Sequence, residues 1–102
     1  MTGPPPLHYR YYIKCTSDPA KRAKIFAERG LDLEVDGAAV LAGATLTIED
    51  NRFDYGETRL ITIGFLGERM VVMVWTPRGD TAHVISMRKA NDREQRAYAP
   101  RF

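Results

Sequence analysis

Several charged residues in the second half of the chain stand at positions that secondary structure alone does not explain. Glu57 and Arg59 are two residues apart at the start of an expected strand, so their side chains should share one face of a sheet. Arg93 should lie in the first turn of the last helix, where a cation opposes the helix dipole. Arginine forks match phosphate oxygens in a bidentate geometry, so a surface that gathers several of them would bind phosphate. The arginines expected on that surface are Arg59, Arg78, Arg88 and Arg93.

A carboxylate on such a surface could do chemistry as well as binding. It could take the proton from a ribose 2′-hydroxyl while the arginines stabilise the pentacoordinate phosphate, which is RNA cleavage without a metal ion. Simpler interpretations stay open, because Glu57 and Arg59 could form an exposed ion pair that contributes about 0–1 kcal/mol. Glu94 could simply cap a helix, and Arg93 and Arg96 could be a solvated helix face. Charge placement therefore leaves three hypotheses: a nuclease, a binding surface for an acidic partner, and inert surface.

The composition limits the other classes of protein. A chain of 102 residues with 44% apolar residues is expected to be one domain, 1–102, with its own core. Cys15 is the single cysteine, so no disulfide framework is predicted. His8 and His83 are far apart, without cysteine or carboxylate at ligand spacing, so no metal site is expected. The net charge of +2 is uneven, since residues 57–102 hold eight Lys/Arg and five Asp/Glu, which favours a polyanionic partner.

Targeting and cofactor motifs are not found in the sequence. No run approaches the roughly 18 apolar residues of a membrane span, and the N-terminus lacks an apolar signal core, which together favour a cytoplasmic protein. There is no Gly-rich phosphate loop, G-x-S-x-G or H-E-x-x-H motif, so no cofactor is expected. The proline run within residues 1–8 predicts a loosely ordered start.

Two helices are predicted before the sheet begins. Asp18 and Pro19 form a capped helix start, and Gly30 can take the left-handed conformation that ends a helix. Asp32 should cap a second, short helix that ends at Gly43. The residues expected to face the core are Ala20, Ala23, Phe26 and Ala27 in the first helix and Val35, Ala38, Ala39 and Ala42 in the second.

The apolar period then changes to two, which predicts strands. The expected strands are Thr45–Ile48, Arg59–Leu66, Arg69–Thr76 and Thr81–Met87, with Tyr9–Cys15 as a candidate edge strand. Gly67 and Glu68 suit a tight hairpin, and the run Val71–Trp75 is apolar on both faces, as in a central strand. Simple alternation would put Ser86 and Arg88 opposite His83 on the last strand. The overall prediction is an α+β fold with two N-terminal helices, an antiparallel meander of about four strands, and one C-terminal helix packed on the sheet.

Three stretches, taken together, resemble the BrnT toxins of bacterial type II toxin–antitoxin systems, which are similar in fold to the RelE ribonucleases. They are DPAKRAKIFAERGL at residues 18–31, DYGETRLITIGFL at residues 54–66, and MVVMVWTPRGDTAHVISMRKANDREQRAY at residues 70–98. The family pattern has an Asp-Pro-x-Lys helix start, a Gly-Glu-x-Arg strand entry, a Tyr-Thr-x-Arg-Gly turn, and an Ile-Ser-Ala-Arg ending followed by Glu and Tyr. The order and spacing of these pieces cover about four fifths of the chain.

The resemblance implies a metal-independent RNA-cleaving toxin held inactive by a small BrnA-like antitoxin. That antitoxin would also bind the operon's DNA, so the toxin would contact DNA only through it. The residues that match the charged and aromatic pattern of the family are Lys21, Glu57, Arg59, Arg78, Arg88, Glu94 and Tyr98. By this resemblance, Arg59 and Arg88 would clamp phosphate and Glu57 would act as the base or its orienter. Lys21 and Arg78 would steer the substrate, and Tyr98 would stack a base or seat the helix. Arg93 is a further candidate substrate-binding residue because of its charge and its place in the last helix, not because of the resemblance.

The chain departs from the family pattern at several positions. Ile25 replaces an Asn, Glu28-Arg29-Gly30 replaces Lys-His-Gly, Trp75 replaces a Tyr, and Met87 replaces a small residue. A second hypothesis follows from these departures, namely a catalytically degenerate toxin homologue that binds its antitoxin and acts as a co-repressor without nuclease activity.

Overall fold

The structure is a computed structural model that describes residues 14–102. The strands are β1 (Lys14–Thr16), β2 (Leu46–Glu49), β3 (Leu60–Leu66), β4 (Arg69–Arg78) and β5 (Thr81–Lys89). The helices are α1 (Pro19–Arg29), α2 (Val35–Ala42) and α3 (Asp92–Tyr98), and a 3₁₀ turn follows at Ala99–Arg101. The expectation about residues 1–8, and the part of the predicted first strand before residue 14, lie outside the described residues. No helix within residues 14–102 is long and apolar enough to cross a membrane.

The sheet has five strands in the order β1-β5-β4-β3-β2. The predicted meander is confirmed for β2 to β5, which pair antiparallel in sequence order, and β4 is the central strand. The candidate edge strand before the helices is present as β1, which overlaps it at Lys14 and Cys15 and lies at one edge of the sheet. The prediction of about four strands, all antiparallel, is wrong at this edge, because β1 is a fifth strand that pairs in parallel with the first part of β5. A parallel pair needs a long crossover connection, and here the chain between β1 and β5 supplies it. The fold is therefore α+β with a mixed sheet.

The ends of α1 follow from local chemistry. The Asp18 side chain accepts a hydrogen bond from the Lys21 backbone N–H at 2.9 Å, and Pro19 occupies the first turn, where its missing donor is not needed. Gly30 has φ of 70° and donates to the Phe26 carbonyl, which ends the helix in the left-handed conformation that glycine adopts without strain. The predicted boundaries of this helix are confirmed.

The predicted inward face is wrong for α1 and only partly right for α2, where Ala38 packs against the core but Val35 is 64% exposed. In α1 the three alanines are exposed and Phe26 is 59% exposed, whereas Ile25 is buried. The reason is that α1 lies beside β5 and contacts it along a narrow line, where Arg29 donates to the Met87 carbonyl at 2.8 Å. In α2 the buried residues are Gly37, Val40 and Leu41.

Two apolar clusters cover the two faces of the sheet. The first lies between the sheet and the helices α1 and α2, and its buried members are Cys15, Ile25, Leu31, Leu33, Val40, Leu41, Val71, Met73, Ala82, Val84 and Met87. The second lies on the opposite face, where Ile63, Met70, Val72 and Ala90 are buried and Tyr98 of α3 packs against them. The sheet face under α3 is the one that carries the charged residues of interest.

A close approach between α2 and β3 makes Gly64 a sensitive position. A Cβ atom at Gly64 would lie 2.7 Å from Val40 Cγ1, which is too close for real atoms. Gly64→Ala should therefore lower the free energy of unfolding by about 1–3 kcal/mol through overpacking. Urea denaturation of the variant measures this loss. Gly43→Ala is the matched control, because its nearest contact would be 3.8 Å away, and an equal loss there would contradict the packing explanation.

Candidate functional site

The sheet face beneath α3 forms a groove with an apolar floor. We call Ile61, Ile63, Val72 and Val74 the groove floor; they lie on β3 and β4 and line one cavity of about 290 Å³. The other residues that line this cavity are Ile48, Arg52, Ser86, Arg88, Glu94 and Tyr98. Glu57 and Arg59 precede β3 and do not line this cavity, and Arg59 is joined to the end of β2 by the hydrogen bond from the Asp50 N–H to its carbonyl at 2.8 Å. The groove thus has an apolar centre with charged residues toward both ends.

A β-bulge changes the face of His83. The pairing of β4 with β5 shifts by one residue, so that Val74 is opposite Ser86 but Trp75 is opposite Val84, which leaves Ile85 as the extra residue. The prediction that His83 faces away from Ser86 and Arg88 is therefore wrong, and all three lie on the groove side. Thr16 Oγ1 lies 2.9 Å from His83 Nδ1, which ties the imidazole to β1.

We call Glu57, Arg59 and Arg78 the Arg59 group. Arg78 Nη2 lies 3.7 Å from Glu57 Oε1, and the two side chains are 53% and 38% exposed, so the pair contributes about 0–1 kcal/mol. Glu57 therefore pairs with Arg78, whereas the simple ion-pair interpretation expected a pair with Arg59. No carboxylate in residues 14–102 lies within ion-pair distance of Arg59.

Arg59 is held over an aromatic ring instead. Its guanidinium carbon lies 4.0 Å from the centroid of the Tyr55 ring, a cation–π contact that contributes about 0.5–2 kcal/mol. Its Nε is buried and finds no hydrogen-bond acceptor among the described residues. A buried donor without an acceptor costs about 1–3 kcal/mol, a cost that the stacking on Tyr55 partly offsets.

We call Arg88, Glu94 and Tyr98 the Arg88 group. The Arg88 guanidinium donates to both Glu94 oxygens at 2.8 Å, and Glu94 also accepts from the Asn91 backbone N–H at 2.9 Å. The Asn91 side chain accepts in turn from the Glu94 backbone N–H, which completes the predicted capping box of α3. Hydrogen bonds from Arg88, and then from Asn91, lower the pKa of Glu94 to about 2.

This pKa shift gives a prediction about acid stability. Since Glu94 titrates near 2 when folded and near 4.5 ordinarily, its stabilising contribution is present above pH 4.5 and is lost as the pH falls toward 2. The thermal midpoint of wild type should exceed that of Glu94→Gln by about 2–6 °C at pH 7, because the pair is partly exposed. Calorimetry from pH 7 to pH 2 should find this difference vanishing at the acid end. A constant difference would contradict the assignment.

The Arg59 and Arg88 groups do not meet at one point. Arg88 on β5 is opposite Val72 on β4, and Val72 is opposite Ile63 on β3. Arg59 precedes Ile63 by four residues, so it is two strands away from Arg88 and displaced along the strand direction. Strand geometry puts the two Cα atoms on the order of 15 Å apart, with the groove floor between them. The arginines of the prediction therefore do not gather at one point, and the two groups would contact different parts of a ligand.

The remaining predicted residues lie around this groove. Tyr98 packs on the second apolar cluster and lines the groove cavity, so both roles suggested for it, stacking and seating the helix, are compatible with its place. Arg93 is exposed in the first turn of α3. Lys21 lines a separate cavity of about 480 Å³ beside β5, and Ser86 lines both cavities. Lys21 is therefore adjacent to the groove rather than inside it.

Sequence reasoning missed the residues that support Arg59. Tyr55 donates from its hydroxyl to Asp50 at 3.0 Å, and the Asp50 side chain is only 2% exposed. The available signal in the sequence was an acidic residue at the end of a predicted strand, Asp50, followed by Arg52 and Tyr55. His83 was missed because the bulge was not recognised.

Metal binding would need a cluster of ligating side chains, and a thiol nucleophile would need a reactive cysteine, in the described part of the chain, residues 14–102. Within residues 14–102, no group of three or more His, Cys, Asp or Glu side chains is arranged to hold a metal ion. Burial raises the pKa of the Cys15 thiol to about 11, with a smaller contribution from Glu34, so the thiol stays protonated at neutral pH.

Comparison with known protein families places most of the chain in one of them. A search of curated proteins found none that matches. The family model described as the ribonuclease toxin BrnT of type II toxin–antitoxin systems matches residues 18–94, which include every charged residue of the Arg59 group and the Arg88 group. The match spans most of the chain. The chain therefore belongs to the BrnT family of ribonuclease toxins.

Proposed function

We propose that this protein is an endoribonuclease that cleaves RNA without a metal ion by attack of a ribose 2′-oxygen on the adjacent phosphorus. The observation that carries the proposal is Arg59, a guanidinium fixed over an aromatic ring without a carboxylate partner in residues 14–102 and with a buried Nε that lacks an acceptor. A phosphate supplies the negative charge that Arg59 lacks, and a guanidinium fork matches phosphate oxygens in a bidentate geometry.

In the proposed reaction Glu57 is the general base that takes the proton of the 2′-hydroxyl. Glu57 accepts the proton of the 2′-hydroxyl, the 2′-oxygen bonds to phosphorus, and the bond from phosphorus to the 5′-oxygen breaks. The 5′-oxygen leaves with a proton from water, so the products are a 2′,3′-cyclic phosphate and a 5′-hydroxyl. Glu57 is partly exposed and only loosely paired with Arg78, which leaves its oxygens accessible. Arg59 stabilises the extra charge on the phosphorane.

The groove suggests how the rest of the RNA binds. Its apolar floor and Tyr98 offer a surface on which an unpaired base can lie, since RNA-binding sites hold splayed bases by stacking and apolar contact. Arg88, at the far end of the floor, binds a neighbouring phosphate. Lys21, Arg78 and Arg93 steer the strand toward the groove by long-range attraction.

The partners proposed follow from family membership. We propose a RelE-like fold and a cognate BrnA-like antitoxin that neutralises the toxin in the cytoplasm and carries the contacts to DNA. Support comes from the type II toxin–antitoxin family itself and from the basic bias of residues 57–102. The protein's own contact with DNA is then indirect.

The test uses the purified chain and a short, end-labelled single-stranded RNA in buffer with EDTA. Wild type should yield fragments that end in a 2′,3′-cyclic phosphate, and the same oligonucleotide made of DNA should stay intact because it lacks the 2′-hydroxyl. Induced expression with total RNA analysis extends the test to cells. Fragments that require added metal, or no fragments from folded protein, would refute the proposal.

The alternative is the degenerate homologue that binds an antitoxin without cleaving RNA. One observation favours it, because Arg88 is already neutralised by Glu94. The departures from the family pattern lend it little support, since Ile25, Met87 and Trp75 belong to the cluster on the other side of the sheet. Folded protein that binds antitoxin but leaves every RNA intact would favour this alternative.

A further inference from the structure

We propose that Tyr55 is a positioning residue that holds the Arg59 guanidinium in the orientation that receives a phosphate, an inference that rests on the proposed function. The Tyr55 ring lies against one flat side of the guanidinium, 4.0 Å from its carbon to the ring centroid. Stacking of this kind occupies the face of the fork and leaves the N–H groups, which lie in its plane, as the donors for an anion. The ring thus fixes the direction of the donors without consuming any.

Tyr55 is itself anchored from its other end. Its hydroxyl donates to Asp50 Oδ2 at 3.0 Å, and the buried Asp50 carboxylate also accepts from Arg52 Nε at 2.8 Å and Nη2 at 2.9 Å. The hydrogen bonds from Arg52, followed by those from its backbone N–H and from Tyr55, hold the pKa of Asp50 well below its usual range. The anchor therefore stays charged across the whole neutral range, and Tyr55 always has its acceptor.

The backbone at the two ends of the loop from Asp50 to Arg59 is also joined by a hydrogen bond. The Asp50 N–H donates to the Arg59 carbonyl at 2.8 Å, so the anchor and the arginine are directly paired across the ends of β2 and β3. Gly56, with φ of 76°, makes the turn that brings the loop back, and its N–H donates to Asp54 Oδ1 at 3.0 Å. One backbone bond, one side-chain bond and one stacking contact thus link Asp50, Tyr55 and Arg59.

A purely structural role for Tyr55 makes a different prediction. Tyr55 also has an edge contact with Phe53, whose ring centroid is 5.8 Å away and which is largely exposed. If Tyr55 only packed this loop, replacing either aromatic residue with leucine should have similar effects. If Tyr55 positions Arg59, the two replacements should differ, because the guanidinium stacks on the ring of Tyr55 and has no such contact with Phe53 among the described residues.

The experiment compares Tyr55→Leu, Tyr55→Phe and Phe53→Leu in the full chain, with two readouts. The first is the ¹⁵N NMR signal of the Arg59 Nε–H, assigned by its loss in Arg59→Lys, which reports the environment of the guanidinium without any RNA. The second is the kinetics of cleavage of the RNA oligonucleotide. Tyr55→Leu should move the Arg59 signal and lower kcat by about 10–30-fold, with KM changed less than threefold. Tyr55→Phe, which keeps the stacking face, should recover most of that loss, and Phe53→Leu should stay within twofold of wild type.

The outcomes separate this inference from the function it rests on. If wild type cleaves no RNA, the proposed function fails, whatever the NMR signal does. If wild type cleaves but Tyr55→Leu leaves both the Arg59 signal and kcat unchanged, the function stands and the positioning role is overturned. Equal losses in Tyr55→Leu and Phe53→Leu would also overturn it, because loop packing would then explain both.

Discussion

Replacement of Arg59 by alanine is expected to lower kcat/KM for RNA cleavage by about 10²–10³-fold, the usual loss when one preorganised donor to a charged transition state is removed. The reason is that Arg59 combines a rigid stacking seat with a donor that no described residue satisfies. Its charge is therefore available to the substrate at no cost of breaking an ion pair. The measurement is steady-state cleavage of the labelled oligonucleotide by purified, folded variant.

Two further variants sharpen the result for Arg59. Arg59→Lys keeps the charge but lacks the planar fork, so it should restore less than a tenth of the lost activity. Arg101→Ala is the control for loss of one positive charge, because Arg101 is exposed in the 3₁₀ turn after α3. The free energy of unfolding of Arg59→Ala should change by less than about 1 kcal/mol, since the lost stacking is offset by removal of an unpaired buried donor. Wild-type activity in Arg59→Ala would remove the basis of the proposed function.

The parts of the fold that sequence predicts well are those that local chemistry decides. Three such features are the Asp18 cap, the Gly30 stop and the Asn91–Glu94 capping box. Each involves residues within a few positions of one another, so the sequence alone predicts it. The central place of β4 also followed from local pattern, because its run Val71–Trp75 is apolar on both faces. Local rules needed no knowledge of the tertiary arrangement.

The parts that sequence predicted badly depend on distant contacts. The alanine stripe of α1 fits a helix that lies flat on a core, but this helix leans on the edge of β5 and buries Ile25 instead. One extra residue at Ile85 turns His83 toward the groove, and the pattern of apolar and polar residues along β5 does not predict this bulge. The stacking of Arg59 on Tyr55 requires the loop between them to turn back at Gly56. The spacing of these residues in the sequence therefore did not predict the contact.

The candidate site was predicted in its residue types rather than in its geometry. Arg88 lies on the groove side of β5, whereas Glu57 and Arg59 lie in the segment that precedes β3. Their partners differ from those expected, because Glu57 contacts Arg78 and Arg88 contacts Glu94. Partner choice depends on which loops and helices reach the sheet, and a single sequence does not specify that.

The pair Arg88–Glu94 gives the second large effect, because the two residues should respond in opposite directions. Arg88→Ala is expected to lower kcat/KM by about 10²-fold, since it removes the donor at the far end of the groove floor. Glu94→Gln should not lower it, because glutamine still fits the capping box but no longer neutralises Arg88. A phosphate then need not displace a carboxylate from the fork, so KM for RNA should fall several-fold while kcat stays near wild type.

The contrast between these two variants decides how Arg88 works. The bidentate contact with Glu94 is partly exposed, so an incoming phosphate can reach the guanidinium and compete for it. Raising the salt concentration should weaken RNA binding in wild type and in Glu94→Gln, and the slope should be steeper in the variant, which has one more uncompensated positive charge. If Glu94→Gln instead lost as much cleavage as Arg88→Ala, the pair would act as one unit in which Glu94 orients the arginine, and competition with phosphate would be the wrong description.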